Sequence, residues 1–360
     1  MNQTEYIESG SMENLGSILD NLHITKAFLV TGKKSFAECG AETYIQKIKN
    51  VEFIQFNNFK NDPRKEDVDI GMQLFRQSGA DAIIALGGGS AIDMAKLIGH
   101  FSAKNKIPFL AIPTTAGSGS EATSFAVMYE NKIKSSIEDK SILPDIVIID
   151  PSLTMSLPPF ITAVSGMDAL CHAIESYWSI NSTNESKEYA KKAMTIILND
   201  LPETVNNPSV KLRLNMLLAA NLAGKAINIS KTTAAHAVSY ALTSYFSVPH
   251  GLAVSFLIPD LLVYNYNVTE NDAEDTRGVD YIKKNIDEIY HIFGGKNSFD
   301  AKNIFNRFVD TLGLPANLSS YGIKKSDIDL IISNINNERL KNNPRKIEMG
   351  EFRKLFELKC

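Results

Sequence analysis

The stretch from residue 82 to residue 96 decides the fold of this 360-residue chain. It reads Ala82-Ile83-Ile84-Ala85-Leu86-Gly87-Gly88-Gly89-Ser90-Ala91-Ile92-Asp93-Met94-Ala95-Lys96. The first five residues form a short apolar run, which predicts a buried strand. Three glycines then lead into a helical pattern, so backbone N–H groups could approach an anion at the helix N-terminus. A plain tight turn is the alternative, but three consecutive glycines exceed its needs and favour a diphosphate site.

Four further short apolar runs predict buried strands, and helical patterns separate them. These runs are 27–31, 53–56, 109–112 and 146–150. Such an alternation is typical of a parallel sheet that helices cover on both faces. The sequence therefore predicts an α/β dinucleotide-binding domain over residues 1–157, with ligands at the carboxyl ends of its strands. Residues 1–26 fit either an extension or a swapped strand.

A helical domain is predicted over residues 158–360, starting at Pro158-Pro159. The segment 182–185 (Ser-Thr-Asn-Glu) has the pattern of a capping box that opens a helix. Further helices are predicted over 212–229, 232–246, 278–292, 298–312, 326–335 and 350–358.

A candidate metal site lies in this second domain. Asp168 and His172 are four residues apart, so on a helix they share one face. An ordinary surface or capping pair is the alternative, but the surrounding run is mostly apolar, where an unpaired charge would be costly. Three of the chain's six histidines lie between residues 166 and 251. With His236 and His250, the pair would form an Asp-plus-three-His set that suits Fe(II), Zn(II) or another first-row divalent ion.

The composition excludes several classes of protein. The net charge is −4, and no basic stripe indicates a nucleic-acid surface. No apolar run reaches the roughly 18 residues of a membrane span. Cys39, Cys171 and Cys360 have no paired spacing, and the N-terminus lacks a signal-peptide pattern. We therefore expect a cytoplasmic protein without nucleic-acid or membrane partners.

The motifs together resemble the iron-dependent (group III) alcohol dehydrogenase family. The segments that carry the resemblance are 87–96, 113–121 (Pro-Thr-Thr-Ala-Gly-Ser-Gly-Ser-Glu), 168–172 and Pro249-His250-Gly251. The resemblance implies a dehydroquinate synthase-like architecture, with a Rossmann-like parallel sheet domain followed by an all-α domain. It also implies a homodimer that reduces a small aldehyde reversibly with NAD(P)H and Fe(II), or with Zn in place of iron.

The resemblance implies roles for individual residues. The metal ligands, which are also catalytic, would be Asp168, His172, His236 and His250. The diphosphate of the cofactor would lie against Gly88, Gly89 and Ser90. The other cofactor contacts would be Gly32, Asp93, Thr114, Thr115, Ser118 and Lys134.

Two positions depart from the family pattern. Tyr240 stands where the family often has a second histidine near the nicotinamide, so a proton relay must use Tyr240, water or the ribose. Gly32 stands where many NAD-preferring members have an acidic residue, and Lys33 and Lys34 follow it. Without the acid, nothing there repels a 2′-phosphate, so NADPH becomes a candidate cofactor beside NADH.

One branch of the family has similar local sequences. The segments 178–179, 182–186 and 224–234 look like those of phosphonoacetaldehyde reductases (2-hydroxyethylphosphonate dehydrogenases). Lys225 lies in an otherwise apolar helix, where a phosphonate could balance its charge, and Lys231 and Thr232 could add donors. Alternatively, Lys225 pairs with a protein carboxylate or extends to the surface.

Three other functions stay open at this point. The first is a general alcohol, butanol or lactaldehyde dehydrogenase of the same family. The second is a lyase that resembles dehydroquinate synthase, although such lyases lack the Asp-x-x-x-His arrangement. The third is a non-catalytic dinucleotide-binding protein, which would have no need for four metal ligands.

Overall fold

The computed structural model describes residues 3–60, 62–102, 106–130, 133–315, 317–357 and 359. The chain divides into two units: Met1–Pro158 with Asn207–Gly224, and Pro159–Asn206 with Lys225–Cys360. The predicted boundary at 157/158 falls beside the first break, but one boundary does not describe the return of the chain to the first unit. That return has a physical reason, because Leu217 packs against Val147 and Ile149 of the sheet.

The first unit alternates strands and helices. Its strands are β1 (Thr4–Ile7), β2 (Lys26–Thr31), β3 (Glu52–Phe56), β4 (Ala82–Gly87), β5 (Phe109–Pro113), β6 (Phe125–Glu130), β7 (Ile133–Glu138) and β8 (Ile146–Ile149). Its helices before the first break are α1 (Leu15–Asn21), α2 (Ser35–Glu38), α3 (Ala41–Lys47), α4 (Lys65–Ser78) and α5 (Gly89–Ser102). All five predicted strands are present.

Six of the described strands form one parallel sheet in the order β1-β8-β5-β4-β2-β3. The strand order reverses at β2, because β3 pairs on one side of it and β4 on the other. Ligands of such sheets bind where the order reverses, at the carboxyl ends of the strands. Apolar residues of one core include Leu29 and Leu86, and those of the other include Val30 and Ala85, so neighbouring strand residues face opposite cores.

Two features of this unit go beyond the sequence prediction, which left residues 1–26 open between an extension and a swapped strand and named no strand over 125–138. Strand β1 pairs with β8 of its own chain, with Thr4 opposite Ile146, so the N-terminal segment extends the sheet. Strands β6 and β7 form a separate antiparallel hairpin, with Phe125 opposite Glu138. In β7 the polar and charged residues Lys134, Ser135, Ser136 and Glu138 interrupt the apolar pattern, unlike the continuous apolar runs of the buried strands.

The second unit is helical, as predicted. The remaining helices, beginning with the one that follows Pro158, are α6 (Pro159–Trp178), α7 (Asn184–Asn206), α8 (Val210–Ser230), α9 (Ala234–Phe246), α10 (His250–Ser255), α11 (Ile258–Tyr266), α12 (Val279–Ile292), α13 (Ser298–Thr311), α14 (Ile328–Ser333), α15 (Asn337–Leu340) and α16 (Met349–Glu357). Helix α8 belongs to the first unit up to Gly224 and to the second from Lys225. The predicted last helix ends at Leu358, and that residue and Cys360 lie outside the described residues.

Helix α7 begins with a capping box, but the residues that form it differ from the predicted ones. Thr183 and Ser186 form the reciprocal pair: the Ser186 N–H donates to Thr183 Oγ1 over 3.1 Å, and the Thr183 N–H donates to Ser186 Oγ over 2.9 Å. The box is displaced by one residue from the predicted Ser182–Glu185 pair. None of the helices in the described residues is long and apolar enough to span a membrane.

Candidate active site

Helix α6 carries two of the predicted ligands one turn apart, Asp168 and His172, on a buried part of the helix. Helix α10 begins at His250 and lies against α6. This approach depends on Gly251, because a Cβ atom there would lie 2.1 Å from the carbonyl oxygen of Val164 and 2.9 Å from Cβ of Asp168. The absence of a side chain at residue 251 therefore allows His250 to lie beside Asp168.

The four predicted ligands lie together in the second unit. Oδ1 of Asp168 is almost equally far from three imidazole Nε2 atoms: 3.9 Å for His172, 3.7 Å for His236 and 3.8 Å for His250. Ligands bonded at about 2.1 Å to a tetrahedral metal ion lie about 3.4 Å apart. The three distances from Asp168 Oδ1 therefore exceed this value by about half an ångström or less, and ligand atoms of Asp168, His172 and His236 all lie within 4.8 Å of one another.

Two atoms of this set lack the partners that buried polar atoms normally have. Within the described part of the chain, Oδ1 of Asp168 and Nε2 of His236 are buried and make no hydrogen bond. Buried polar atoms are nearly always bonded, so two buried atoms without a hydrogen bond and 3.7 Å apart fit a site where they would share a cation. The oxygen and imidazole donors fit Fe(II) or Zn(II).

The charges of the site lead to the same conclusion. Burial would raise the pKa of Asp168, but the imidazoles of His172, His250 and His236 lower it well below the usual range of a carboxyl. Asp168 is therefore ionised at neutral pH. Burial opposes protonation of His236, but the carboxylates of Glu175 and Asp168 prevail and raise its pKa to about 9. Two buried carboxylates thus favour positive charge at this point, and a divalent cation supplies it.

Sequence reasoning overlooked Glu175, whose side chain is 0% exposed. One of its carboxylate oxygens, Oε2, bonds to Nδ1 of His236, and the other accepts hydrogen bonds from Thr233 and Ala235. Its position gives a usable signal, because it follows Asp168 by seven residues and so lies on the same helix face two turns later.

The predicted nucleotide site lies in the first unit, where β2, β4 and β5 end. Helix α5 begins at Gly89, directly after β4 and its glycine turn. Side chains approach this turn closely: a Cβ at Gly88 would lie 3.1 Å from Oγ1 of Thr115, and one at Gly89 would lie 2.6 Å from Oγ of Ser118. Gly32 is also adjacent, because a Cβ at Gly87 would lie 3.4 Å from its backbone nitrogen.

The structure therefore brings the predicted residues Gly32, Gly88, Gly89, Thr115 and Ser118 together at the reversal of strand order. The glycines leave a cradle that side chains would fill, beside the N-terminus of a 14-residue helix. Backbone N–H groups in such a cradle suit a diphosphate.

The other predicted cofactor residues lie around this turn. Ser90 is in the first turn of α5, and Thr114 is buried directly after β5. Asp93 bonds within the protein, because its carboxylate accepts hydrogen bonds from the Ser120 hydroxyl and from the Val127 N–H, the latter over 3.0 Å. Lys134 lies on β7, with Nζ 5.8 Å from the centre of the Tyr129 ring.

The predicted substrate residues Lys225, Lys231 and Thr232 and the relay candidate Tyr240 have different surroundings. Lys225 is half-buried in α8, with Nζ 6.0 Å from the centre of the Tyr189 ring. Lys231 has a left-handed backbone with φ of 66°. The buried Thr232 accepts a hydrogen bond at its carbonyl oxygen from Asn342 over 2.9 Å. Tyr240 is buried on α9, one turn after His236.

Comparison with known proteins places both parts of the chain in one family. Residues 3–151 match the family model described as iron-containing alcohol dehydrogenase, and residues 162–359 match the Fe-containing alcohol dehydrogenase family, C-terminal. The chain is 29% identical over 349 residues to the NAD-dependent methanol dehydrogenase of Bacillus methanolicus, covering 91% of this chain and 90% of that protein. It is 29% identical over 384 residues to the NADPH-dependent butanol dehydrogenase of Clostridium saccharobutylicum, covering 98% and 95%.

A solved structure extends the agreement to the fold. The crystal structure of sulfoacetaldehyde reductase from Bifidobacterium kashiwanohense in complex with NAD+ matches with a TM-score of 0.86 at 26% identity, covering 99% of this chain and 96% of that one. Both halves of the sequence, the ligand set and the fold lead to one conclusion: the chain belongs to the iron-containing alcohol dehydrogenase family and is an NAD(P)-dependent oxidoreductase.

Proposed function

We propose that this protein reduces a small aldehyde with NAD(P)H at a centre of Asp168, His172, His236 and His250, and that its substrate is phosphonoacetaldehyde, which becomes 2-hydroxyethylphosphonate. The observation that carries the reductase proposal is the position of Asp168 Oδ1, which is 3.7 to 3.9 Å from three imidazole nitrogens. Fe(II) held by these residues would supply Lewis acidity to the carbonyl oxygen of the substrate.

The proposed reaction transfers a hydride from the nicotinamide carbon to the aldehyde carbon and a proton to the aldehyde oxygen. The glycine turn of the first unit fixes the cofactor through its diphosphate, which orients the nicotinamide. His250 has the most exposed side chain of the ligand set, at 33% against 10% or less for the other three. The aldehyde therefore approaches the set from the side of His250.

We assign the proton relay to Tyr240, with water or the cofactor ribose as the alternatives. Tyr240 follows His236 by four residues on α9, so the two side chains share one face of that helix. A phenol can donate a hydrogen bond and accept one, as a relay requires.

The phosphonate part of the proposal rests on two supports. Lys225 is a half-buried cation in a helix of otherwise mostly apolar residues. Sulfoacetaldehyde, in the name of the structural relative, is a two-carbon aldehyde with an anionic head group, as phosphonoacetaldehyde is. The methanol and butanol dehydrogenases among the relatives favour the alternative, a general alcohol dehydrogenase.

The test compares kcat/KM for phosphonoacetaldehyde, acetaldehyde and lactaldehyde, using anaerobically Fe(II)-loaded protein with either cofactor. We expect a preference for the phosphonate that falls about 10- to 100-fold in Lys225→Gln, since a charge-assisted hydrogen bond contributes about 1.5–3 kcal/mol. Lys191→Gln, which changes an exposed lysine on α7, is the matched control and should keep the preference. Equal turnover of all three aldehydes would favour the general dehydrogenase.

We further propose that the protein is a cytoplasmic homodimer that accepts NADPH as well as NADH. The dimer rests on the family resemblance, and Lys33 and Lys34 after β2 support the use of NADPH. Sedimentation at several protein concentrations tests the subunit number.

A further inference from the structure

We infer that Glu175, Thr233 and Trp178 are positioning residues that present Nε2 of His236 to the metal, and that Trp178 reports metal occupancy by its fluorescence. The inference rests on the proposed function, because it assumes that the four-residue set binds a divalent ion. It adds a hydrogen-bonded chain of three buried side chains behind one ligand.

Glu175 is the centre of these hydrogen-bonded side chains. Its Oε2 atom bonds to Nδ1 of His236. Its Oε1 atom accepts hydrogen bonds from the Thr233 hydroxyl over 2.6 Å and from the Ala235 N–H over 2.8 Å. With both oxygens bonded and the side chain fully buried, the carboxylate is held in one orientation.

Glu175 also caps α9, the helix that carries His236. Thr233 precedes this helix, but its own side chain makes no capping hydrogen bond. The carboxylate on α6 instead accepts the Ala235 N–H at the start of α9, where the helix dipole favours negative charge. One side chain therefore places both the imidazole of His236 and the end of the helix that bears it.

Trp178 extends the chain to the end of α6. Its indole Nε1–H donates to Oγ1 of Thr233 over 2.8 Å. An indole N–H can only donate and an ionised carboxylate can only accept, so the Thr233 hydroxyl must accept from Trp178 and donate to Glu175. The indole donor at one end and the carboxylate acceptor at the other therefore determine the direction of both hydrogen bonds of the Thr233 hydroxyl.

This direction determines the tautomer of His236. Because Glu175 accepts, the proton on Nδ1 of His236 stays in place, and Nε2 is the atom that gives up its proton and offers its lone pair when a metal binds. Nε2 is the buried atom that makes no hydrogen bond among the described residues, and it lies 3.7 Å from Oδ1 of Asp168. Carboxylates that orient ligating histidines typically change metal affinity by about 10- to 100-fold.

The hydrogen bonds from Glu175 through Thr233 also connect the metal site to Trp178, the one tryptophan of the protein. Trp178 is 1% exposed, and its indole is two hydrogen bonds away from the carboxylate that holds His236. Binding of a cation to His236 polarises these bonds, so tryptophan emission should change when metal binds.

The experiment measures the dissociation constants of Fe(II) and Zn(II) by chelator competition, and tryptophan emission during the same titrations. Glu175→Gln keeps the shape but places an amide donor near Nδ1 or near the Ala235 N–H. We expect it to weaken metal binding about 10- to 100-fold. Thr233→Val, which keeps the volume but removes a donor to Glu175 and the link to Trp178, should weaken metal binding less than Glu175→Gln does and should show a smaller emission change or none.

Asp260→Asn is the matched control, because Asp260 is a buried carboxylate of the same unit that pairs with Lys302 and Lys359. It should lower thermal stability and leave metal affinity unchanged. Wild-type binding with no loss in Glu175→Gln would overturn the inference and leave the proposed function intact. Equal metal-induced emission changes in wild type and Thr233→Val would overturn the reporter role of Trp178. No metal binding by wild type would overturn the proposed function and this inference together.

Discussion

Replacing Gly251 by alanine should displace His250 and open the metal centre. The new Cβ would lie 2.1 Å from the carbonyl oxygen of Val164 and 2.9 Å from the backbone nitrogen of Asp168. A carbon and an oxygen need about 3.3 Å, so α10 must move by about 1 Å, because neither neighbouring backbone atom can turn aside. The distance from His250 Nε2 to Asp168 Oδ1, now 3.8 Å, would then approach about 5 Å.

Two measurements follow from this displacement. Overpacking a well-packed contact typically costs about 1–3 kcal/mol, so chemical denaturation of metal-free protein should show a loss in that range. The displaced imidazole should also weaken metal binding more than tenfold in chelator competition. Loss of Lewis-acid assistance should lower kcat for every aldehyde alike.

Gly350→Ala is the control for this substitution. Gly350 lies in the first turn of α16, and a Cβ there would have no atom within 4 Å. Alanine should therefore leave stability and metal binding unchanged, or raise stability slightly. If Gly251→Ala behaves like Gly350→Ala in both measurements, our account of how α10 presents His250 is wrong.

Three further predictions concern the first unit. Gly89→Ala should raise the Kd for NADH, measured by fluorescence titration, because its Cβ would lie 2.6 Å from Oγ of Ser118; an unchanged Kd would argue against the glycine cradle. Burial raises the pKa of Glu121 from 4.5 to about 7, so the folded state binds more protons between these values. The stability of wild type relative to Glu121→Gln should be highest below pH 4.5 and fall as the pH rises to 7, by up to about 3 kcal/mol in denaturant titrations; a flat difference would contradict this. Replacing Lys33 and Lys34 by alanine should lower kcat/KM for NADPH and leave that for NADH nearly constant, whereas equal losses would show that neither lysine recognises the 2′-phosphate.

Buried strands and their turns were predictable from the sequence because burial on both faces leaves a continuous apolar run. The run 82–86 became β4, and the glycines after it lie where the strand order reverses. Strand β1 was harder to predict from the sequence, because Thr4–Ile7 is short and mixed in polarity. Its place is determined by pairing with β8, which is distant in sequence.

The candidate ligands could be picked out of the sequence because charged groups in apolar surroundings stand out. Asp168 and His172 follow helical spacing, and the structure brings His236 and His250 to the same point. Helical spacing places Glu175 on the same face as Asp168, but its role could not be predicted, because its partners Thr233, Ala235 and His236 meet it only after the helices pack. For Lys225, the apolar pattern left a phosphonate partner, a protein carboxylate and extension to the surface open, and the structure places the half-buried side chain beside Tyr189.

The return of the chain to the first unit at Asn207–Gly224 limits how this protein can be cut and recombined. A fragment that stops at Pro158 would leave Val147 and Ile149 without Leu217, and the carbonyl of Leu157 without the Arg213 guanidinium that donates to it over 3.1 Å. Such a fragment should be prone to aggregation unless a peptide of 207–224 is supplied. The two parts of the sequence on either side of Pro158 therefore cannot be exchanged as independent domains. A chimaera that gives this chain a new cofactor specificity must include the first part of α8 together with the sheet.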